Sequence, residues 1–377
     1  MALDLDDYGW SGGPIPSDGR LGRIVRVDRG ECDVVTADGP IRVLSDSQRA
    51  QDAVAPATGD WVAVVDDPEL GPTIGRVLER ANTVSRRDPS EAVVEQVLVA
   101  NVDLVLIVHG LDRPLPPGRL ERFLVVAWDS GAEVAVVLTK ADGVADGVAD
   151  EVAAVVRAVA PAVPVLMVGI GGPERRGGLG EVEAMLGRGR TVALLGESGA
   201  GKSTLVNALV GDEVLETGEV RSGDAKGRHT TVSRELVLRP GGGLLVDTPG
   251  IRAVGIWDAE ESLARVFGDL EERAAGCRFS DCAHQGEPDC AVLAEVATGR
   301  VDVRRVDRYR ALRRELADQR EREVQRERRN SRADPGAVAA ELVAQRRASS
   351  TARVRRSSLS PALRGRWSTI RRASGSL

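Results

Sequence analysis

Nine consecutive residues, Gly196, Glu197, Ser198, Gly199, Ala200, Gly201, Lys202, Ser203 and Thr204, have the types and spacing needed to hold phosphate. The glycines let backbone N–H groups wrap a polyphosphate at a helix N-terminus, the lysine reaches the β and γ phosphates, and the Ser203 hydroxyl can ligate Mg2+. The context fits, because 191–195 reads as a buried strand and 204–210 as a helix. Lysine is rare here: Lys140, Lys202 and Lys226 are the three, against 48 arginines. Coincidence is therefore a poor explanation of the match.

Two further elements point to the same nucleotide. Asp247-Thr248-Pro249-Gly250 follows the apolar run 244–246, as a D-x-x-G sensor of Mg2+ and γ-phosphate would, although Asp-x-Pro-Gly alone is also an ordinary turn. Thr139, Lys140, Ala141 and Asp142 end the apolar run 134–138 and match [NT]-K-x-D. A carboxylate there accepts guanine N1–H and N2–H, which adenine cannot supply, while the lysine stem packs on the base. In an ordinary GTPase the phosphate loop comes first. Here the guanine element precedes it, so the domain reads as circularly permuted, and the chain leaves the site just after the γ-phosphate sensor.

Between them, 218–231 is polar and holds Lys226-Gly227-Arg228-His229-Thr230-Thr231, a candidate first switch in which Thr230 or Thr231 supplies a second Mg2+ ligand. After Gly250 comes Ile251, where many GTPases place a water-orienting glutamine; His229 is the candidate to take that role.

Cys277, Cys282, His284 and Cys290 lie within fourteen residues, in the pattern C-x4-C-x-H-x5-C. Three thiolates and one imidazole close a tetrahedral shell and leave no position for substrate, which predicts a structural Zn2+. Cys32, alone on an expected strand, reads as a small buried hydrophobe. His109 has no partner at a recognisable spacing and receives no role.

These residues must be positioned by a chain of 377 residues, enough for two or three domains. The fold class expected is multidomain α/β. Residues 1–19 are polar and expected as a flexible leader. Five short alternating runs follow within 20–88, with turns between them, which predicts an OB-type β-barrel; an SH3-like barrel fits nearly as well. Residues 89–258 alternate continuous apolar runs with helices, as in a GTPase domain with a parallel sheet. Residues 259–330 are helical around the Cys/His cluster and end in a charged helix from about 303 to 329. The arginine- and serine-rich tail 331–377 is expected to be disordered.

Hydrophobic residues form 42% and charged residues 29%, which excludes a chain disordered throughout. No apolar run is long enough to span a membrane, and the start is acidic, so a soluble cytoplasmic protein is expected. The net charge of -6 conceals an asymmetry: residues 300–377 carry a net +13 and the remainder -19. A basic end on an acidic body suggests a polyanionic partner such as nucleic acid.

In order, TKAD, GESGAGKST, GRHTT, DTPG and C-x4-C-x-H-x5-C behind a small barrel closely resemble the RsgA/YjeQ family, the ribosome small subunit-dependent GTPases. The resemblance spans roughly 20–325 and includes Gly59-Asp60-Trp61-Val62 and Cys277-Arg278-Phe279. It implies an OB-fold domain, a permuted GTPase domain and a C-terminal zinc domain. It also implies a GTPase that binds the small ribosomal subunit and its rRNA late in maturation, is stimulated by the subunit, and acts as a monomer. By position, 139–142 and 196–204 would bind GTP or GDP, and Cys277, Cys282, His284 and Cys290 would bind one Zn2+.

Two departures stand out. The second guanine-contact segment usually carries a serine but reads Val168-Gly169-Ile170 here, and the basic tail has no counterpart. The competing reading is a GTP-gated RNA-binding module whose hydrolysis is incidental. A small-molecule kinase is disfavoured by TKAD and DTPG.

Overall fold

The computed structural model describes residues 3–13, 15–45, 54–87, 95–145, 147–171, 177–211, 234–248 and 259–333. His229, Thr230, Thr231, Gly250 and nearly all of the basic tail lie outside them.

The alternating N-terminal runs become five strands, β1 (Arg20–Val27), β2 (Glu31–Thr36), β3 (Gly39–Leu44), β4 (Trp61–Asp67) and β5 (Gly71–Val77). They close into a barrel in the order β1-β2-β3-β5-β4, with β3 and β5 paired in parallel. That is the Greek-key order of an OB-type barrel, so the SH3-like alternative is set aside. Inward residues Ile24, Val34, Val43, Val62, Val64 and Ile74 fill it together with Cys32, which is fully buried as expected.

The leader is not loose. Residues 3–13 dock on the barrel and on the turn before the phosphate-loop strand: Trp10 meets Trp61 edge-on at 4.8 Å, and Arg188 pairs with Asp4 and Asp7, each at 2.6 Å. Buried Arg23 donates to the Tyr8 carbonyl, the Asn101 carbonyl and the Thr191 hydroxyl, tying leader, barrel and parallel sheet together. The polar composition of 1–19 hid this docking, because its partners are distant in the chain.

A two-stranded ribbon, β6 (Thr83–Arg87) with β7 (Glu95–Ala100), leads into the α/β layer. There follow β8 (Leu104–Gly110), α1 (Pro117–Asp129), β9 (Glu133–Thr139), α2 (Val148–Val159), β10 (Val165–Met167), α3 (Leu179–Glu183), β11 (Thr191–Leu195), α4 (Lys202–Val210), β12 (Leu236–Leu238) and β13 (Leu244–Asp247). The sheet order is β10-β9-β8-β11-β13-β12, with only β12 antiparallel. Successive side chains in a strand point to opposite faces. Val105, Ile107, Val136 and Ala193 therefore pack under α1 and α2, while Leu104, Leu106, Val137 and Leu194 pack under α3 and α4. Burial on both faces is why these strands read as unbroken apolar runs. Beyond β8 the chain adds strands on one side, and beyond β11 on the other. The switch point between them is where such sheets bind ligands.

The C-terminal helices are α5 (Glu260–Val266), α6 (Gly268–Ala274), α7 (Ala291–Ala297) and α8 (Val303–Ala333). Residues 1–319 form one compact unit and 320–377 a second, whose described part is the last turns of α8. The first unit is held together across its layers by charge. Glu121 on α1 is fully buried and accepts from Arg305 at 2.9 Å and from Arg308 at 2.6 and 3.0 Å; Arg305 also pairs with Asp269 at 2.6 Å. A buried carboxylate must be paired in this way, and here the pairs fix α8 on α1.

Candidate functional site

The phosphate loop leaves β11 at the switch point and turns into α4. Gly199 (φ +76°) and Gly201 (φ +90°) adopt backbone conformations that side chains resist, and a Cβ on Gly201 would press on the Thr139 hydroxyl at 3.0 Å. The Thr139 hydroxyl donates to the Ala200 carbonyl at 2.6 Å, so the guanine element and the phosphate loop are bonded to one another although 61 residues apart. Lys140, itself left-handed (φ +61°), donates to the Gly199 carbonyl and to Asp112, both at 2.8 Å.

Lys202 donates to the Gly196 and Glu197 carbonyls of its own loop at 3.2 and 3.0 Å. Burial draws its ammonium below the usual lysine range, against the pull of Asp247 and Glu197. A desolvated cation of this kind gains most from an arriving phosphate. Ser203 donates to Asp247 Oδ2 at 2.5 Å, while Asp247 Oδ1 is buried with no partner among the described residues. A hydroxyl beside an unsatisfied carboxylate oxygen, with a lysine near, is the oxygen donor set that a Mg2+–nucleotide complex requires. Thr248 turns inward and bonds the Leu194 carbonyl at 2.5 Å, which fixes the exit of β13 beside the loop.

Three contacts escaped the sequence. Arg113, on the loop after β8, donates to the Ser198 and Gly199 carbonyls at 3.2 and 3.4 Å. Buried His109 donates from Nε2 to the Arg113 carbonyl at 3.1 Å and so braces that loop; burial holds its imidazole below the usual histidine range. Glu197 of the phosphate loop pairs with Arg119 of α1 at 2.9 Å. The one available signal was position, since a charged Asp112-Arg113 pair directly after a buried strand lies at the ligand edge of such a sheet.

The segment after β10 lies beside the guanine element, with the Ala141 N–H donating to the Val168 carbonyl at 3.2 Å. A Cβ on Gly171 would fall onto the Asp142 carboxylate, so Gly171 leaves that carboxylate its room.

In the C-terminal helices the sequence motif closes in space. The ligand atoms of Cys277, Cys282, His284 and Cys290 all lie within 4.8 Å of one another. Cys277 Sγ is 3.9 Å from Cys290 Sγ, and His284 Nδ1 is 3.7 and 3.4 Å from those sulfurs. A tetrahedron with metal–sulfur bonds of about 2.3 Å and a metal–nitrogen bond of about 2.0 Å has edges of about 3.5–3.8 Å, so the cluster can hold a metal ion. His284 (φ +57°) and Asp289 (φ +56°) take left-handed turns that bring the ligands round.

Fold and site together define a GTP hydrolase of the P-loop class in circularly permuted form. The family model described as RsgA GTPase matches residues 77–257. A Streptomyces avermitilis protein named small ribosomal subunit biogenesis GTPase RsgA is 46% identical over 321 residues, covering 82% of this chain and 85% of the relative. Its namesake from Streptomyces coelicolor is 45% identical, covering 82% and 86%. Among solved structures, YjeQ from Thermotoga maritima is similar at 27% identity with a TM-score of 0.55, covering 79% of this chain and 98% of that one. YloQ, described as a circularly permuted GTPase, shares the fold at 24% identity and a TM-score of 0.54, covering 80% and 96%. The chain belongs to the RsgA GTPase family.

Proposed function

We propose that this protein hydrolyses GTP during late maturation of the small ribosomal subunit, that it binds the subunit through rRNA, and that the subunit stimulates hydrolysis. The observation that carries the nucleotide chemistry is the meeting of Thr139, Lys140, Lys202, Ser203 and Asp247 at one edge of the sheet: Thr139 and Lys140 bond the phosphate loop at 2.6 and 2.8 Å, Ser203 bonds Asp247 at 2.5 Å, and Lys202 bonds the loop carbonyls at 3.0 and 3.2 Å. The names of its relatives support the ribosomal assignment, and the basic C-terminal end supports an RNA partner.

In this reading 139–142 read guanine and 196–204 wrap the phosphates. Lys202 would reach the β and γ phosphates, and Ser203 and Asp247 would hold Mg2+. Bound Mg2+ would spread the charge that develops on the phosphate oxygens. Thr230 or Thr231 would supply a further Mg2+ ligand, Gly250 would contact the γ-phosphate, and His229 would orient the attacking water. The Cys277, Cys282, His284 and Cys290 cluster holds one structural Zn2+. We assign 20–88 to the OB fold, 89–258 to the GTPase and 259–330 to the zinc domain, with 331–377 a basic tail, in a cytoplasmic monomer. Among the described residues no helix is long and apolar enough to cross a membrane.

The test is GTP hydrolysis by the purified protein, alone and with small or large ribosomal subunits, using ATP and Lys202→Ala as controls. Stimulation by small subunits only, lost in Lys202→Ala, is the expected result. GTP-dependent binding of subunits without any stimulation would instead favour a nucleotide-gated RNA-binding module.

A further inference from the structure

The phosphate loop is held by its carbonyls. Lys202 donates to those of Gly196 and Glu197, Arg113 to those of Ser198 and Gly199, Lys140 again to that of Gly199, and Thr139 to that of Ala200. Five successive carbonyls thus accept from side chains. Lys202, Lys140 and Thr139 belong to the nucleotide motifs, whereas Arg113 belongs to none of them.

Arg113 acts where the loop most needs a clamp. Gly199 adopts φ +76° readily because it lacks a Cβ, but the same lack lets the peptides on either side of it rotate. The planar guanidinium spans both: NH1 bonds the Ser198 carbonyl at 3.2 Å and NH2 the Gly199 carbonyl at 3.4 Å. Glycine also gives it room, since a Cβ on residue 199 would lie 3.1 Å from Arg113 NH2. The peptide after Gly199 has further anchors, with Lys140 on its carbonyl at 2.8 Å and the Ala200 N–H donating to the Glu197 carbonyl at 3.2 Å. The peptide before it has Arg113. A peptide unit is planar and trans, so its N–H points opposite to its C=O. With the Ser198 carbonyl drawn toward Arg113, the Gly199 N–H is turned away from it. Arg113 is itself braced, donating from Nε and NH2 to the Asp112 carboxylate at 3.4 and 3.3 Å, while its own carbonyl accepts from His109.

We propose that Arg113 is a positioning residue for the nucleotide: it acts through the Ser198–Gly199 peptide, fixing the Gly199 N–H as a donor to the phosphates of GTP and GDP. A cation on the carbonyl also polarises the peptide and strengthens the N–H at its other end. The inference rests on the reading of 196–204 as the phosphate loop and adds to it a residue outside every nucleotide motif. Loop N–H groups cradle the α and β phosphates, which GTP and GDP share. Such a contact is uniform between ground and transition states, so its loss raises KM and spares kcat.

The test uses the full chain, with GDP and GTP binding measured directly beside steady-state hydrolysis. Arg113→Ala is expected to weaken both nucleotides together by about tenfold, the size of one hydrogen bond to a charged group, with KM rising alike and kcat within about twofold of wild type. Arg113→Lys keeps the charge but reaches one carbonyl at most, so it should recover only part of the affinity. Arg157→Ala, the same charge change on an exposed residue of α2, should bind GDP as wild type does. In the 31P spectrum of bound GDP, the β-phosphate resonance should move in Arg113→Ala, a signature that lowered stability alone does not produce. Melting temperatures verify folding; if the alanine variant does not fold, Arg113→Lys carries the test and should bind GDP more weakly than wild type.

Wild-type GDP affinity in folded Arg113→Ala, or an unmoved β-phosphate resonance, would overturn the role. So would equal weakening in Arg157→Ala, which would reduce the effect to net charge, or full recovery in Arg113→Lys, which would remove the need for the fork. A fall in kcat at unchanged KM would overturn it in favour of a contact made only in the transition state. Lys202→Ala binding GDP as wild type does would instead remove the phosphate-loop reading, and this inference with it.

Discussion

The hydroxyl of Ser203, at the start of α4, lies 2.5 Å from Oδ2 of Asp247, at the end of β13. The two residues are 44 positions apart, yet β11 and β13 are parallel neighbours, so the loops leaving them emerge side by side. The fold itself therefore brings the hydroxyl and the carboxylate together. Asp247→Asn keeps the size and removes the charge. It is expected to lower kcat by about 10²–10³-fold, the scale seen when one preorganised electrostatic group is lost. Steady-state hydrolysis across a Mg2+ titration reads this; a kcat equal to wild type would refute the assignment.

Gly171 provides a subtler probe of guanine recognition. Gly171→Ala places a methyl group where the Asp142 carboxylate now sits, so that carboxylate must rotate away. Gly171 is exposed, so the fold should tolerate the change, while GTP affinity is expected to fall by about tenfold or more because the carboxylate proposed to read the base is displaced. Fluorescent GTP and ATP titrations check it, and the preference for GTP should shrink with the affinity.

The four cysteines are expected to separate into three and one. Burial pushes the Cys32 thiol up to about 12, so at neutral pH it is protonated and inert. In the metal-loaded native protein no thiol should react promptly with a maleimide. A strong chelator should release Cys277, Cys282 and Cys290, and unfolding should be needed for the fourth. The sign of the linkage follows: above the unfolded value near 9 an unfolded Cys32 loses its proton while the folded one retains it until about 12. Its contribution to stability thus falls as pH rises through that window, and Cys32→Ala should flatten the alkaline decline. Rapid labelling of Cys32 in the folded protein would refute this.

Glu121 holds α8 against α1. Glu121→Ala leaves Arg305 and Arg308 facing a buried position without their acceptor, and removal of one partner from such a network costs about 3–5 kcal/mol. A clear drop in Tm is expected, partly recovered in Glu121→Gln, which still accepts hydrogen bonds. An unchanged Tm would mean that apolar packing alone docks the helix.

Much of the site was legible because its chemistry is local. The phosphate loop, TKAD and the cysteine pattern each lie within a few residues, and their residue types are dictated by phosphate, guanine and metal whatever surrounds them. The strands carrying them were legible too, since double-sided burial writes continuous apolar runs. Ribbon β6–β7 was not legible, because its pairing is between short runs of mixed character.

The sequence by itself determined the candidate site motifs, the strands that end in them, and, through motif order, the permutation. Only the tertiary structure decided the barrel's Greek-key closure, the docking of residues 3–13, and the roles of Arg23, Arg113, Glu121 and Gly171. The reason is physical. A buried charge or a close backbone approach draws its meaning from partners brought near by folding; Arg23 meets Thr191 across 168 residues and Glu121 meets Arg308 across 187. No local pattern of residue types records such a meeting, whereas a phosphate loop carries its whole instruction within one turn of chain.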